Sequence, residues 1–388
     1  MAAMSWDAAR ESAHAAATPL KPRSLPLADA GGTVLATPLV APAAVPPVDR
    51  AAMDGYAVRG DGPWRVIGSV FATSELSGPL SDGEAKAIVT GAAVPPGTTA
   101  VLRDEDATLT ADLVLGTVQP GAHIRRAGEE CQAGEVLLRA RTVIEPTVLG
   151  LAAALGLDRL TVIPHPRVHA LITGDELIHR GPSTSGQVRD AIGPMLPGLI
   201  AQAGCVPSIS HLPDNRDALI EALNSATADL VLVSGSSASG PADHLRGALA
   251  AVGAELLVDG VACRPGHPQA LARLGDGRLV IGLPGNPLAA LTAFLTLGTA
   301  VIQRLRGLQL PVLPPAAVPG GIACHPHNTR LVPVRVGPQG VVPIGHGGSA
   351  MLRGVAAADA LAVIDPGPSE AIAARLLPLD PGARFWGS

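Results

Sequence analysis

Aromatic residues are almost missing from this chain: three Trp, three Phe and one Tyr among 388 residues. Without a run of rings there is no stacking platform for single-stranded nucleic acid. Lysine is scarcer still, with only Lys21 and Lys86, so arginine carries nearly all the positive side-chain charge. The 28 basic and 33 acidic residues leave a net charge of −5, which argues against a general nucleic-acid or membrane-surface protein. Cys131, Cys205, Cys263 and Cys324 lie far apart, with no CxxC pair and no sign of a disulfide framework. Cys324-His325-Pro326-His327 crowds three potential ligands into four residues, which suits a plain surface turn better than a closed zinc site. The N-terminus lacks a charged start followed by an apolar core, so no signal peptide is expected. The longest apolar-rich run, residues 288–302, is too short for a membrane span. The expectation is a cytoplasmic protein that takes neither nucleic acid nor membrane as a partner.

What the chain has in plenty is Ala, Val, Leu and Ile, punctuated by 45 Gly and 37 Pro. Its length exceeds what one hydrophobic core usually supports, so two to four domains are expected. Residues 4–18 read as an amphipathic helix with Trp6, Ala9, Ala13, Ala16 and Ala17 on one face, ended by Pro19 and Pro22. Residues 24–134 are short apolar runs cut by Gly and Pro, the pattern of a small all-β module. A helix is expected over 145–157. The middle third alternates: strands at 169–172, 207–210, 229–233 and 255–258 are interleaved with helices at 187–204, 215–226 and 244–253. Such alternation means a parallel sheet with helices on both faces. From 310 onward, short strands and dense turns return, as in a small β-barrel or sandwich. The expected fold is multidomain α/β. Its segments are an N-terminal helical or linker region (1–23 with 135–165), a small β-rich domain (24–134), a central parallel-sheet domain (166–309) and a C-terminal β domain (310–388).

The chain is organised around residues 278–306. An apolar β-branched run stops at Pro284-Gly285-Asn286-Pro287, and a long helix-forming run follows. Pro287 suits the first turn of that helix, where its missing N–H costs nothing. Free backbone N–H groups at such a helix start attract anions, phosphate above all. Other strand ends collect polar residues too: Thr173-Gly174-Asp175-Glu176, Ser234-Gly235-Ser236 running on to Asp243, and Arg264-Pro265-Gly266-His267-Pro268. In parallel sheets ligands sit at the carboxyl ends of strands. Four such loops on one rim have the make-up of a pocket for an anionic, phosphate-bearing ligand.

Read in order, these residues resemble the MoeA family, the molybdopterin molybdenumtransferases, over essentially the whole chain. Met53-Asp54-Gly55-Tyr56-Ala57 resembles the family's MDGYA element, and Thr90-Gly91-Ala92 with Pro95, Gly97, Ala100, Val101 and Glu105 its TGA segment. Ile124-Arg125-Arg126-Ala127-Gly128-Glu129-Glu130 is similar to IRxxGED. Pro166-Arg167-Val168 through Thr173-Gly174-Asp175-Glu176-Leu177 resembles PRV…TGDEL, residues 283–287 resemble LPGNP, and Gly348-Ser349 the GS of the last domain. The resemblance implies a molybdopterin-binding-like central domain and insertion of molybdate into adenylylated molybdopterin, with Mg²⁺-dependent release of AMP. Carried over by position, it implies Asp54, Glu130 and Asp243 as metal-side or catalytic acids, with Glu176 nearby. The residues of the TGA, TGDEL, Ser234–Ser236, Arg264–His267, PGNP and GS elements then hold the substrate. It also implies a homodimer in which the β-module of one subunit completes the pocket of the other, and a molybdopterin adenylyltransferase as partner.

Some positions differ from the family pattern. The GGvSvGdxD loop is Gly235-Ser236-Ser237-Ala238-Ser239-Gly240-Pro241-Ala242-Asp243, and DSN is Asp190-Ala191-Ile192. KPGKP is Arg264-Pro265-Gly266-His267-Pro268, where histidine is a weaker anion partner than lysine. Glu130 replaces Asp, Asp359 replaces Asn, and Ala289 replaces Ser. These differences define two rivals to the enzyme: a non-catalytic molybdopterin-binding or scaffold paralogue, and an enzyme acting on a related phosphate-bearing ligand.

Overall fold

Trp6 shows why the N-terminal run is helical and where it belongs. In the computed structural model, which describes residues 3–73, 77–235, 244–380 and 382, α1 (Trp6–Ala16) starts at Ser5, whose side chain accepts from the Ala8 N–H. Its apolar face buries Trp6, Ala9 and Ala13 against the largest core. The Trp6 indole N–H donates to Thr296 Oγ1 at 3.0 Å. Arg10 and Arg375 lie 4.8 and 5.5 Å from its ring centroid.

This helix is part of a first compact unit, Met1–Ser24, Gly32–Ala36 and Thr161–Ser388; the second unit is Leu25–Gly31 with Thr37–Leu160. The four-segment division expected from the sequence is finer than this and stands as a proposal.

In the first unit the chain runs β1 (Arg167–Thr173), β2 (Leu177–Ile178), β3 (Val188–Arg189), α2 (Ile192–Gln202), β4 (Val206–Leu212), α3 (Arg216–Ser225), β5 (Leu230–Val233), α4 (His244–Ala251), β6 (Glu255–Asp259), β7 (Cys263–Arg264), β8 (Ala270–Arg273) and β9 (Leu279–Gly282). The main sheet has the order β4-β1-β5-β9-β8-β6. Its first four strands are parallel; the inner three, β1, β5 and β9, are nearly all apolar in the centre, as strands covered on both faces must be, while the edge strand β4 is largely exposed.

Two expectations need correction. The sheet is mixed, because β8, a strand not expected from the sequence, runs antiparallel to both its neighbours, β9 and β6: Leu274–Arg278 closes a tight hairpin between β8 and β9, and a short turn joins antiparallel strands. Likewise, the helix expected over 187–204 begins only at Ile192. Asp190 Oδ1 accepts from the N–H groups of Ile192 and Gly193 and fixes the helix start there, leaving Val188–Arg189 to pair with β2. For α3, Asn215 is the cap, accepting from the Ala218 N–H at 2.8 Å. Asn215→Ala is expected to lower stability by about 1 kcal/mol in urea unfolding.

The central helix α5 (Pro287–Leu305) passes through a π-turn at Phe294–Gly298. Its 19 residues reach the length and composition of a membrane span, more than the sequence suggested, but 83% of that window is buried inside the protein. It is a core helix around which the first unit packs. Beyond it, β10 (Pro315–Ala323), β11 (Thr329–Gly337), β12 (Gly340–Pro343), β13 (Ala360–Ile364) and β14 (Glu370–Pro378) form a second sheet, ordered β7-β11-β13-β14-β10, with β12 on β11. Thus β7 leaves the main chain path to join the C-terminal sheet, pairing Arg264 with Arg330.

The second unit is β-rich as expected. Its six-stranded sheet places Ala100–Arg103, Gly55–Val58, Glu84–Ile88, Trp64–Val70, Leu113–Leu115 and Thr108–Thr110 side by side. Helix Pro146–Ala154 starts with Pro in its first turn.

Candidate functional site

A cavity of about 520 Å³ lies in the first unit where three loops meet β11. Its walls include Arg264 from β7, Gly266 and His267 from the loop after it, Pro284 and Asn286 from the loop before α5, Arg330 from β11, and Ser349. The β7–β11 pairing sets the two guanidinium-bearing residues side by side. Nearby, His325 is pushed below the usual imidazole range by desolvation and then by the positive charges of Arg264, His327 and Arg330. Among the described residues no carboxylate pairs with Arg264. The pocket is therefore cationic, although the protein as a whole is acidic.

The Arg264 loop is held against α5. Gly266 has φ +103°, and a Cβ there would sit 2.6 Å from Thr292 Oγ1, so only glycine fits. Thr292 Oγ1 donates to the Pro265 carbonyl, and the buried Gln269 Nε2 donates to the Gly266 carbonyl. His267 Nδ1 is 2.8 Å from the Val261 carbonyl. That contact requires the Nδ1–H form and leaves Nε2 as the ring's other polar atom. The start of α5 is different from the sequence expectation: Leu288 and Ala289 donate their N–H groups to the Ser349 carbonyl. Much of the anion-binding capacity expected of that helix terminus is thus taken up by the protein, and charge falls to the arginines.

The carboxyl ends of β1, β5 and β9 also converge. Thr173 Oγ1 donates to the Ser234 carbonyl at 2.7 Å, Ser234 Oγ accepts from the Thr173 N–H, and the Leu283 N–H donates to the Val233 carbonyl. Gly235, at φ +84°, has no room for a Cβ because Thr173 Oγ1 would lie 2.6 Å away, and Gly285 packs over it. Glu176 folds across Gly174, within about 3 Å of where its Cβ would stand. Asp175 accepts from the Asp214 N–H. Asp214 is raised above the usual carboxylate range by burial and then by the charges of Asp175 and Glu176, with His244 opposing. Ser236 and Asp243 lie outside the described residues.

In the second unit, Asp54 precedes Gly55–Val58. Its Oδ1 accepts from both the N–H and the hydroxyl of Thr90, at 2.6 and 2.9 Å. Those bonds, the backbone one first, hold it below the usual carboxylate range. The sign is that of a stabilising anion: the contact is complete above about pH 4 and lost as pH falls through the lowered value. Thr90→Val is expected to move the Asp54 carboxyl resonance midpoint upward in an NMR titration. Gly91 follows at φ +81°. Glu130 is exposed, its N–H bonded to the Val45 carbonyl, and no hydrogen bond joins it to Asp54 among the described residues. Sequence reasoning missed Arg330, which only the β7–β11 pairing reveals.

Comparison with known proteins agrees with this architecture. Residues 4–156 match the MoeA N-terminal region (domain I and II), 169–304 the probable molybdopterin binding domain, and 316–373 the MoeA C-terminal region (domain IV). Molybdopterin molybdenumtransferase 2 of Mycobacterium tuberculosis is 34% identical, covering 76% of this chain and 78% of that one. Molybdopterin molybdenumtransferase of Haemophilus influenzae is also 34% identical, over 76% of each. A crystal structure of the molybdopterin biosynthesis moeA protein from Pyrococcus horikoshii superposes with a TM-score of 0.80 at 26% identity, covering 99% of this chain and 100% of that one. This chain belongs to the MoeA family.

Proposed function

We propose that the chain is a molybdopterin molybdenumtransferase of molybdenum cofactor biosynthesis, inserting molybdate into adenylylated molybdopterin and releasing AMP. Family membership supports the transferase role over a non-catalytic paralogue. The observation that carries the finer reading is the cationic cavity of Arg264 and Arg330. A tetrahedral dianion presents only acceptors, and paired guanidinium groups are the donors that suit it. Ser349 and Asn286, which also line the cavity, add neutral polar groups. The cavity volume far exceeds that of one oxyanion, leaving room for part of the pterin substrate. The linked ends of β1, β5 and β9, with Thr173, Gly174, Ser234 and Gly235, are the proposed cradle for the rest.

Mg²⁺ is the proposed metal. Asp54, Glu130 and Asp243 are the proposed metal-side acids; Asp54 fits because Thr90 anchors Oδ1 and keeps the group ionised. A bound Mg²⁺ would neutralise charge developing on phosphoanhydride oxygens. A homodimer, a molybdopterin adenylyltransferase partner and a cytoplasmic location complete the proposal.

The test is AMP release from adenylylated molybdopterin, with molybdate and Mg²⁺ added to the purified chain. Release in step with active cofactor is expected. Pterin binding without release would overturn the catalytic reading in favour of a carrier.

A further inference from the structure

Away from the cationic cavity, one cluster has metal-ligating chemistry that the proposed reaction does not use. His179, Asp190 and His211 each offer a ligand atom, and the three atoms all lie within 4.8 Å of one another. They come from three separate pieces of chain. His179 follows β2 and Asp190 follows β3, and the two strands pair in parallel; the Asp190 N–H donates to the Ile178 carbonyl at 3.0 Å. His211 stands on β4, the edge strand of the main sheet.

The carboxylate is fixed before any ligand arrives. Its Oδ1 is committed to the N–H groups of Ile192 and Gly193 at 3.0 and 2.8 Å. Its Oδ2 is left to face His211 Nε2 at 3.2 Å and His179 Nδ1 at 3.7 Å. Gly193 is the residue that leaves space for this oxygen, since a Cβ there would collide with Oδ2. The Asp190 side chain is only 4% exposed, whereas those of His179 and His211 are 53% and 43% exposed. The two imidazoles meet edge-on, with centroids 4.1 Å apart.

We propose that His179, Asp190 and His211 form a site for a borderline divalent cation of the zinc class, distinct from the Mg²⁺ proposed for the transferase reaction. Bonds of about 2.0–2.1 Å in a tetrahedron put neighbouring ligand atoms about 3.3 Å apart. The separations of 3.2 and 3.7 Å from Asp190 Oδ2 are already close to that value. Two imidazoles and one carboxylate select Zn²⁺, Co²⁺ or Ni²⁺ over Mg²⁺, which demands oxygen ligands. The buried hydrogen bonds to Oδ1 supply the outer support that orients a ligating carboxylate. The exposed imidazoles leave a fourth position to water. Bound metal would tie the β2–β3 segment and the start of α2 to the sheet edge.

The experiment uses the full chain, stripped with a chelator and titrated with Zn²⁺ against Co²⁺ absorption. One tight Zn²⁺ per chain is expected, with no competition from millimolar Mg²⁺. His179→Ala and His211→Ala should each weaken Zn²⁺ at least about 10-fold, while His325→Ala/His327→Ala should leave it unchanged. Unaltered affinity in both single variants, loss of binding in the His325/His327 variant, or no tight binding at all would each overturn the site. Ring-labelled histidine in the wild-type chain gives an independent reading: Zn²⁺ should shift two of the 11 histidine signals, and a different pair, or none, would contradict it.

Discussion

Arg264→Ala is expected to weaken molybdate binding by about 10- to 100-fold, the scale of one lost charge-assisted hydrogen bond at about 1.5–3 kcal/mol. Arg264 faces the cavity beside Arg330 with no carboxylate partner among the described residues, so its charge is available to a ligand. Arg330 is less free, because it also donates to the Ala323 carbonyl; Arg330→Ala should cost less than Arg264→Ala. Arg264→Lys keeps the charge but loses the planar fork, and should retain part of the affinity. Isothermal titration with molybdate distinguishes these variants. Equal affinities in all three would show that the anion binds elsewhere. Since the arginines are exposed or half-buried, a folded chain is expected throughout, with an unchanged unfolding midpoint.

Trp6→Ala is expected to destabilise the first unit by about 3–5 kcal/mol, the range for deleting a fully buried large aromatic. Trp6 is 1% exposed and belongs to the cluster that contains α5 and the parallel strands. Its loss also leaves Thr296 Oγ1 without the indole N–H and removes the ring beneath Arg10, whose burial has already pushed its pKa down to about 10. Arg375, which pairs with Asp7 and Asp365, would lose its ring contact as well. Denaturant unfolding followed by circular dichroism measures the change. A loss under about 1 kcal/mol would mean that α1 is peripheral to the core.

Much of this could be read before the structure. Periodicity located α1, the inner parallel strands β1, β5 and β9, and α5, because each has a sustained apolar pattern. Turn chemistry located the Gly/Pro loops at strand ends. What failed was pairing. Residues 255–259 run in the same direction as the parallel strands, but an unforeseen strand at Ala270–Arg273, turned back by the hairpin at Leu274–Arg278, stands between them and β9. The capping of Ile192 and Gly193 by Asp190 likewise cut short a helix that propensity alone would extend.

The site was legible to the same degree. Arg264, Gly266, His267, Pro284 and Asn286 were singled out from their loops and Ser349 from the family resemblance, and they line one cavity. Arg330 was not, since a lone arginine at a strand start carries no pattern. The capping of α5 by the Ser349 carbonyl was invisible for a similar reason: it depends on a residue 61 positions from Leu288 in this chain. Glycine motifs were informative where geometry demands them, as at Gly266 and Gly235, whose Cβ positions are filled by Thr292 and Thr173 hydroxyls.

The central claim is that the Arg264–Arg330 cavity receives the oxyanion. The most direct measurement is a crystal soaked in molybdate, with anomalous diffraction recorded at the molybdenum edge. The account predicts one strong peak per chain within hydrogen-bonding distance of the Arg264 guanidinium, lost in Arg264→Ala. A peak on another part of the chain, with this cavity empty, would contradict it.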